Sequence, residues 1–257
     1  MAHKLYDRSL WLRTAEVASN GALDAMFGMP ATGGEIRFAD IMEVQRQAGI
    51  VHAHYQLGVP ADDVFVVNSI ELRVFWPATS VPVRTVRGRI RVHATEASRA
   101  RSRVRSAVQR FSVEGNGGLR AEGSSSATFI PRAVFPRVRA RRSAASPAVE
   151  PMRRGAVREE PLVVDHADPI LADHEVEHVS AMSVVCAIER SVREHEEARL
   201  SRLSLRFLGY CDADPAPILR TRIVSGREIG GMLTHGGAVY AEFSGGLTTP
   251  LPQRRRT

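Results

Sequence analysis

The chain contains one structural unit twice, and this internal repeat constrains the fold more than any other feature. Residues 43–59 and 173–190 each have the pattern of a long helix that follows a polar loop, and short β-rich segments follow both. In the first copy, apolar residues recur at helical spacing from residue 38 to residue 57. Gly58 and Pro60 then end the helix. A fold made of two similar halves usually places its site where they meet, so we expect a site at that seam.

The segments after each helix have the residue pattern of antiparallel strands. Val64–Phe75 is rich in β-branched and aromatic residues, and residues 83–95 alternate between polar and apolar positions. Residues 103–114 and 119–130 flank the sequence Gly-Asn-Gly-Gly, which predicts a hairpin turn. The helix-then-strands order indicates an α+β fold. In the second half, strands are predicted at residues 203–210, 218–224, 232–234 and 238–244.

Proline and arginine separate the two copies of the unit. Five prolines lie among arginine, serine and alanine between residues 131 and 161, where apolar periodicity is weak. Such a segment is expected to run over the surface. We therefore predict an N-terminal half at residues 1–130, a linker at 131–161 and a C-terminal half at 162–257.

Composition excludes several function classes. The 257 residues are 44% hydrophobic, and no apolar run is long enough for a membrane span or a secretory leader. Cys186 and Cys211 cannot form a disulfide framework, so we expect a cytoplasmic protein. The net charge of +7 comes mainly from arginine, and a basic surface attracts nucleic acid, acidic proteins or phosphorylated metabolites. The sequence has no zinc-finger, helix-turn-helix or aromatic-stacking signature, so no nucleic-acid partner is expected.

Two motifs carry a resemblance to a known family. The sequence Glu-Val-Gln-Arg-Gln-Ala-Gly at residues 43–49, followed by an Ala-His segment and Gly-Val-Pro at 58–60, resembles the first-half helix of AfsA-like A-factor biosynthesis proteins. Those proteins read E-x-x-R-Q-A-G. Residues 173–182 are similar to their second motif, D-H-P-x-D-H-V-P-G-M. The resemblance covers residues 34–244.

The resemblance implies a double hotdog, in which each half wraps an antiparallel sheet around a long helix. It also implies an acyltransferase of γ-butyrolactone biosynthesis, a branch of secondary metabolism. Such an enzyme moves a β-ketoacyl group from acyl carrier protein to a small hydroxylated acceptor such as dihydroxyacetone phosphate. No cofactor is expected, and a double hotdog functions as a monomer (a pseudo-dimer) or as a homodimer. Because carrier proteins are acidic, the arginine-rich linker is a candidate docking surface.

The resemblance also assigns roles to single residues. Glu43 matches the family's catalytic glutamate, and a glutamate needs burial to raise its pKa into the range of a general base. We therefore expect Glu43 to be dry and uncompensated by a positive charge. Arg46 and Gln47 share its helix face as orienting or substrate-binding groups, although an ordinary Glu43–Arg46 ion pair is the simpler interpretation. His52 and His54 are more plausible as packing or polar groups.

The second motif suggests a partner for Glu43 and an alternative chemistry. His174 is expected to face Glu43 from the second half as a catalytic partner, and His178 and Arg190 are expected to bind substrate. Residues 174–178 also satisfy H-E-x-x-H, a zinc-peptidase spacing. The motif ends a loop soon after Asp168-Pro169 instead of lying within an amphipathic helix, so we expect no metal.

The departures from the family pattern leave the reaction open. The family's second-half glutamate and arginine are replaced by Cys186 and Glu189, and Ser180 and Ala181 replace its Pro-Gly. One conventional site, centred on Glu43, is therefore expected, with Cys186 as an inert core thiol. Besides acyl transfer, a dehydratase or thioesterase acting on acyl thioesters fits these residues. A non-catalytic module that binds an acyl chain or its carrier fits them as well.

Overall fold

One antiparallel sheet forms the centre of the molecule. The structure, a computed structural model, describes residues 10–31, 35–77, 84–144 (without the side chains of 141–144), 157–165, 168, 170–171, 178–196 and 198–249. Within these ranges the sheet has eleven strands, and three α-helices accompany it. No helix in these ranges is both long and apolar enough to cross a membrane.

The elements follow one another as two similar sets joined by a short helix. The first set contains β1 Leu12–Val17, β2 Leu23–Pro30, α1 Phe38–Tyr55, β3 Val64–Phe75, β4 Thr85–Ala100, β5 Arg103–Gly115 and β6 Arg120–Ile130. The connecting helix is α2 Phe135–Ala144. The second set contains β7 Arg158–Pro161, α3 Ala181–Glu196, β8 Arg199–Phe207, β9 Ile218–Ser225, β10 Glu228–His235 and β11 Ala238–Thr248.

The strand order shows that the two sets are related by a pseudo-twofold axis. The sheet runs β1-β2-β4-β5-β6-β3-β8-β11-β10-β9-β7, and β3 pairs antiparallel with β8 at the junction of the halves. Counted outward from this junction, β3, β6, β5, β4 and β2 correspond to β8, β11, β10, β9 and β7. The repeat expected from the sequence is therefore present in the topology.

The two long helices are buried against this sheet in one shared core. Phe38, Ile41 and Met42 of α1 and Val184 and Ile188 of α3 belong to a single hydrophobic cluster that extends across both halves. Their burial, and not helix propensity alone, holds helices of this length in place.

Close approach of α1 to the sheet depends on a glycine. A Cβ on Gly49 would lie 3.0 Å from Oε1 of Gln109 and 3.2 Å from Cζ of Phe111, both on β5. The Gln109 side-chain amide donates a hydrogen bond to the Gly49 carbonyl at 2.9 Å. Close packing against β5 therefore explains why the helix motif has a glycine at position 49.

Most predicted elements are present, and three regions differ from prediction. The linker contains α2, and its last residues form β7, which pairs with β9. The weak apolar periodicity of α2 reflects its composition, since four of its ten residues are arginine. Residues 12–30 form the unpredicted hairpin of β1 and β2, whose Gly, Ala and Met residues have little intrinsic strand preference. The second long helix begins at Ala181, later than residue 173.

Candidate active site

The motif on α1 holds a buried carboxylate in a fixed position. The Glu43 side chain is 1% exposed. Arg46 donates to it from Nε to Oε2 at 2.7 Å and from Nη2 to Oε1 at 2.9 Å. Gln47 donates from Nε2 to Oε1 at 2.8 Å. The three side chains therefore share one helix face, as their spacing predicts.

The start of β1 fixes the orientation of Gln47. The backbone N–H groups of Trp11 and Leu12 donate to Oε1 of Gln47 at 3.0 and 3.4 Å. Because the amide oxygen is used in this way, the amide nitrogen is directed at Glu43. The unpredicted first hairpin thus supports the site.

One prediction about Glu43 is confirmed and another is wrong. The side chain is dry, as predicted, but it is compensated by a guanidinium group that binds both of its oxygens. Charge-assisted bidentate bonds of this kind stabilise the charged form of a carboxylate. Arg46 keeps some contact with solvent, since its side chain is 24% exposed. Glu43 is therefore an anchored hydrogen-bond acceptor and not an isolated carboxyl in an apolar pocket.

The pseudo-twofold axis assigns a counterpart on α3 to each residue of this cluster. When the starts of α1 and α3 are superposed, Cys186, Glu189 and Arg190 take the places of Glu43, Arg46 and Gln47. Burial raises the pKa of the Cys186 thiol, so this thiol stays protonated at neutral pH. It has the properties predicted for an inert core thiol.

Glu189 covers the start of α1. Its Oε1 accepts the N–H of Phe38 at 2.6 Å, and its Oε2 accepts the N–H of Ala39 at 3.1 Å. A carboxylate here also interacts favourably with the helix dipole. The Glu189 side chain is 12% exposed, and burial raises its pKa although the two N–H bonds act in the opposite direction. The first amides of α1 are therefore occupied by the protein itself.

Further charges surround this covered helix start. Arg37 donates from Nη2 to Oδ1 of Asp40 at 2.7 Å and from Nη1 to Oδ2 of Asp168 at 2.5 Å. The Arg37 N–H also donates to Oδ2 of Asp40 at 2.9 Å, as in one half of a capping box. Burial raises the pKa of Asp40. These contacts tie the start of α1 to both halves of the chain.

The start of α3 is built differently. Ser180 precedes the helix, and its Oγ accepts the N–H of Ser183 at 3.0 Å, as expected of an N-cap serine. Its carbonyl accepts the N–H of Val184 at 3.3 Å. In the described part of the chain, no acceptor is present for the N–H groups of Ala181 and Met182. These are the counterparts of the Phe38 and Ala39 amides that Glu189 covers.

The same axis relates the position of Arg46 to that of Glu189. Glu189 contacts the first residues of α1, and Arg46 is its counterpart on α1. Helices α1 and α3 pack in one shared core. Helix α1 carries the Arg46 guanidinium and the anchored Glu43 carboxylate, and α3 begins with two backbone donors. A carbonyl oxygen or another anion fits the donors.

The other predicted site residues are distributed differently. Arg190 donates from Nη2 to the Val163 carbonyl at 3.5 Å, a contact within the second half. His178 forms an isolated β-bridge with Asp212 and lies close to the start of α3. His174 lies outside the described residues, so its pairing with Glu43 remains a prediction.

His52 has a packing role. Its Nδ1 accepts from the Gln109 amide at 2.9 Å, and its Nε2 lies 3.3 Å from the Gly21 carbonyl, which assigns the proton to Nε2. Burial lowers the pKa of His52, which keeps the ring neutral. The expectation of a polar packing group agrees with these contacts.

The described residues contain no cluster of three or more potential metal ligands. Of the H-E-x-x-H segment, only His178 is described. The contacts of Glu189 and of the α3 amides were not predicted. The available signal was an acidic residue, Glu189, beside apolar Val185 and Ile188, since an acidic residue on a buried helix face needs a donor.

The pH dependence of stability tests the role of Glu189. Burial raises its pKa, so the folded state holds the proton more tightly than the unfolded chain does. Its contribution to stability is therefore largest below the ordinary glutamate pKa of about 4.3 and is lost as pH rises through the raised value. We expect Glu189→Gln to flatten the decline of the unfolding free energy as pH rises above the ordinary glutamate pKa, by at most about 1.4 kcal/mol per pH unit.

Chemical denaturation of both proteins at several pH values measures this difference. Glu242→Gln, at a half-exposed carboxylate on the outer sheet face, is the control. Parallel pH profiles of the Glu189→Gln variant and the unchanged protein would contradict the assignment.

Comparisons with known proteins give the fold. No protein-family model and no curated protein matches the sequence. Among solved structures, the 12:0-ACP thioesterase from Umbellularia californica is similar at a TM-score of 0.61 and 12% identity, over 90% of this chain and 98% of that one. An acyl-ACP thioesterase from Bacteroides thetaiotaomicron is similar at 0.58 and 12%, over 89% and 98%. Together with the repeated topology, these similarities show that the chain has a double hotdog fold.

Proposed function

We propose that the protein is an enzyme that transfers the acyl group of a carrier-bound thioester to the hydroxyl of a small acceptor. The AfsA-like motifs suggest a β-ketoacyl donor, an acceptor such as dihydroxyacetone phosphate, and a product of the butyrolactone or butenolide type. The fold is compatible with this proposal, since the similar structures include proteins described as acyl-ACP thioesterases.

The difference between the two helix starts is the observation that carries the proposal. At the start of α1, the Glu189 carboxylate already occupies the first amides. At the start of α3, the amides of Ala181 and Met182 have no acceptor in the described ranges. We place the Glu43–Arg46 pair of α1 beside these amides, because the pseudo-twofold axis relates Arg46 to Glu189. One working site per chain follows, formed by residues of both halves.

The residues present fit the acyl-transfer step. The thioester carbonyl oxygen would lie at the Ala181 and Met182 amides, which stabilise the negative charge that develops on it. Glu43 would accept the hydroxyl proton as the acceptor oxygen forms a bond to the carbonyl carbon. The carbon–sulfur bond then breaks, and the proton passes to the departing thiolate. Arg46 would hold Glu43 in place and face an anionic acceptor.

Hydrolysis is the second candidate, and a specific contact favours it. The second-half arginine of the family is replaced by Glu189, whose carboxylate is engaged with α1. Of the arginines at the two family positions, Arg46 alone is left to bind an acceptor phosphate. Water needs no such group, so the same site would then act as a thioesterase.

Mass spectrometry distinguishes these reactions. The protein is incubated with a β-ketoacyl carrier protein, with and without dihydroxyacetone phosphate. A phosphorylated ester that forms only with the acceptor supports acyl transfer, whereas a free acid in both reactions supports hydrolysis. An unsaturated acyl chain would indicate a dehydratase. An unchanged donor in both reactions would contradict enzymatic activity on this substrate class.

A further inference from the structure

The connecting helix α2 packs against the segment that follows β8. The Phe135 ring lies 5.5 Å from the Tyr210 ring in an edge-to-face arrangement. Arg139 donates from Nη2 to Oδ1 of Asp212 at 2.9 Å. Two contacts of different chemistry therefore fix α2 on residues 210–212.

The same segment supports the start of α3. His178 forms a β-bridge with Asp212, and the Val179 N–H donates to the Cys211 carbonyl at 2.9 Å. The next residue, Ser180, caps α3. Residues 210–212 therefore contact both α2 and the residues that precede α3.

Helix α2 and the residue Arg132 before it are rich in positive charge. Four of its ten residues are arginine, at positions 137, 139, 141 and 142, and none is acidic. Arg132 just before the helix and Arg137 within it are exposed, and between them Val134 is 44% exposed. Asp212 and Asp214 are acidic groups of the supporting segment, and Arg139 pairs with Asp212. A charged rim around an exposed apolar residue is a common composition of a protein-binding surface.

We propose that α2 and Arg132 form the docking surface for an acidic acyl carrier protein, which thereby presents its thioester at the start of α3. This inference rests on the proposed function. Opposite charges steer the encounter of two proteins and set its orientation. The sequence predicts a docking surface somewhere in the arginine-rich linker, and the proposal assigns it to α2 and Arg132 within that linker.

Binding of a labelled holo acyl carrier protein tests the surface directly. We expect Arg132→Glu combined with Arg137→Glu to weaken binding at least about tenfold at low salt and less at high salt. Arg105→Glu combined with Arg110→Glu, at exposed positions of β5, has the same charge change and is the control. Equal binding by the two double variants would overturn the proposal.

Steady-state kinetics with two thioester substrates distinguishes a defect in carrier docking from a defect in the chemical step. We expect the α2 double variant to have a lower kcat/KM than the unchanged protein for the acyl carrier protein substrate. For the same acyl group on pantetheine, we expect the two proteins to have equal kcat/KM. Equal kcat/KM of variant and unchanged protein on the carrier substrate would overturn the docking surface. If the unchanged protein converts neither thioester, the proposed function fails, and the binding measurement still decides whether α2 docks the carrier.

Discussion

Glu43→Gln will lower kcat by about a hundredfold to ten thousandfold, because the amide cannot accept the hydroxyl proton. Glutamine keeps the volume of the side chain and one oxygen for Arg46. The negative charge that holds the guanidinium is lost, but Arg46 is 24% exposed and can be hydrated. We therefore expect the variant to fold, with a circular dichroism spectrum like that of the unchanged protein.

Glu71→Gln is the matched control for this variant. Glu71 lies on β3 at an exposed position of the sheet, so the same chemical change there is expected to leave kcat unchanged. Single-turnover rates with the β-ketoacyl carrier protein measure both variants. A Glu43→Gln variant that reacts as fast as Glu71→Gln would remove Glu43 from the chemistry and leave it as a structural ion pair.

The sequence predicts the repeated fold well because its signals are local and strong. Val64–Phe75 coincides with β3, and the Gly-Asn-Gly-Gly turn contains Gly117 and Gly118 at φ of 71° and 80°. The edge strands β1 and β7, and β2 beside β1, are less predictable. An edge strand takes its conformation from the neighbour with which it pairs, and sequence patterns within the strand show this only weakly.

The candidate site could be predicted in part. Spacing on one helix predicts that Glu43, Arg46 and Gln47 share a face, and the structure confirms this. Spacing cannot show that Glu189 covers the start of α1, because the contact joins residues about 150 positions apart. It also cannot show that β1 orients Gln47. Both contacts depend on how the two halves pack.

The substitution Ala181→Pro removes the backbone N–H group of Ala181 with little change to the helix. Ala181 is the first residue of α3, where proline is well tolerated because the N–H has no partner within the helix. The preceding N-cap residue normally has the extended backbone that proline requires of its neighbour. We expect Ala181→Pro to fold and to lower kcat about a hundredfold to a thousandfold, the usual effect of losing one oxyanion donor.

Ala181→Gly keeps the N–H group and is the control for this variant. Both proteins are compared by thermal unfolding and by single-turnover kinetics on the same thioester. A loss of kcat confined to Ala181→Pro assigns the N–H as a donor in the transition state. If both variants react at the same rate, the carbonyl oxygen is stabilised elsewhere, and the difference between the two helix starts no longer identifies the working site.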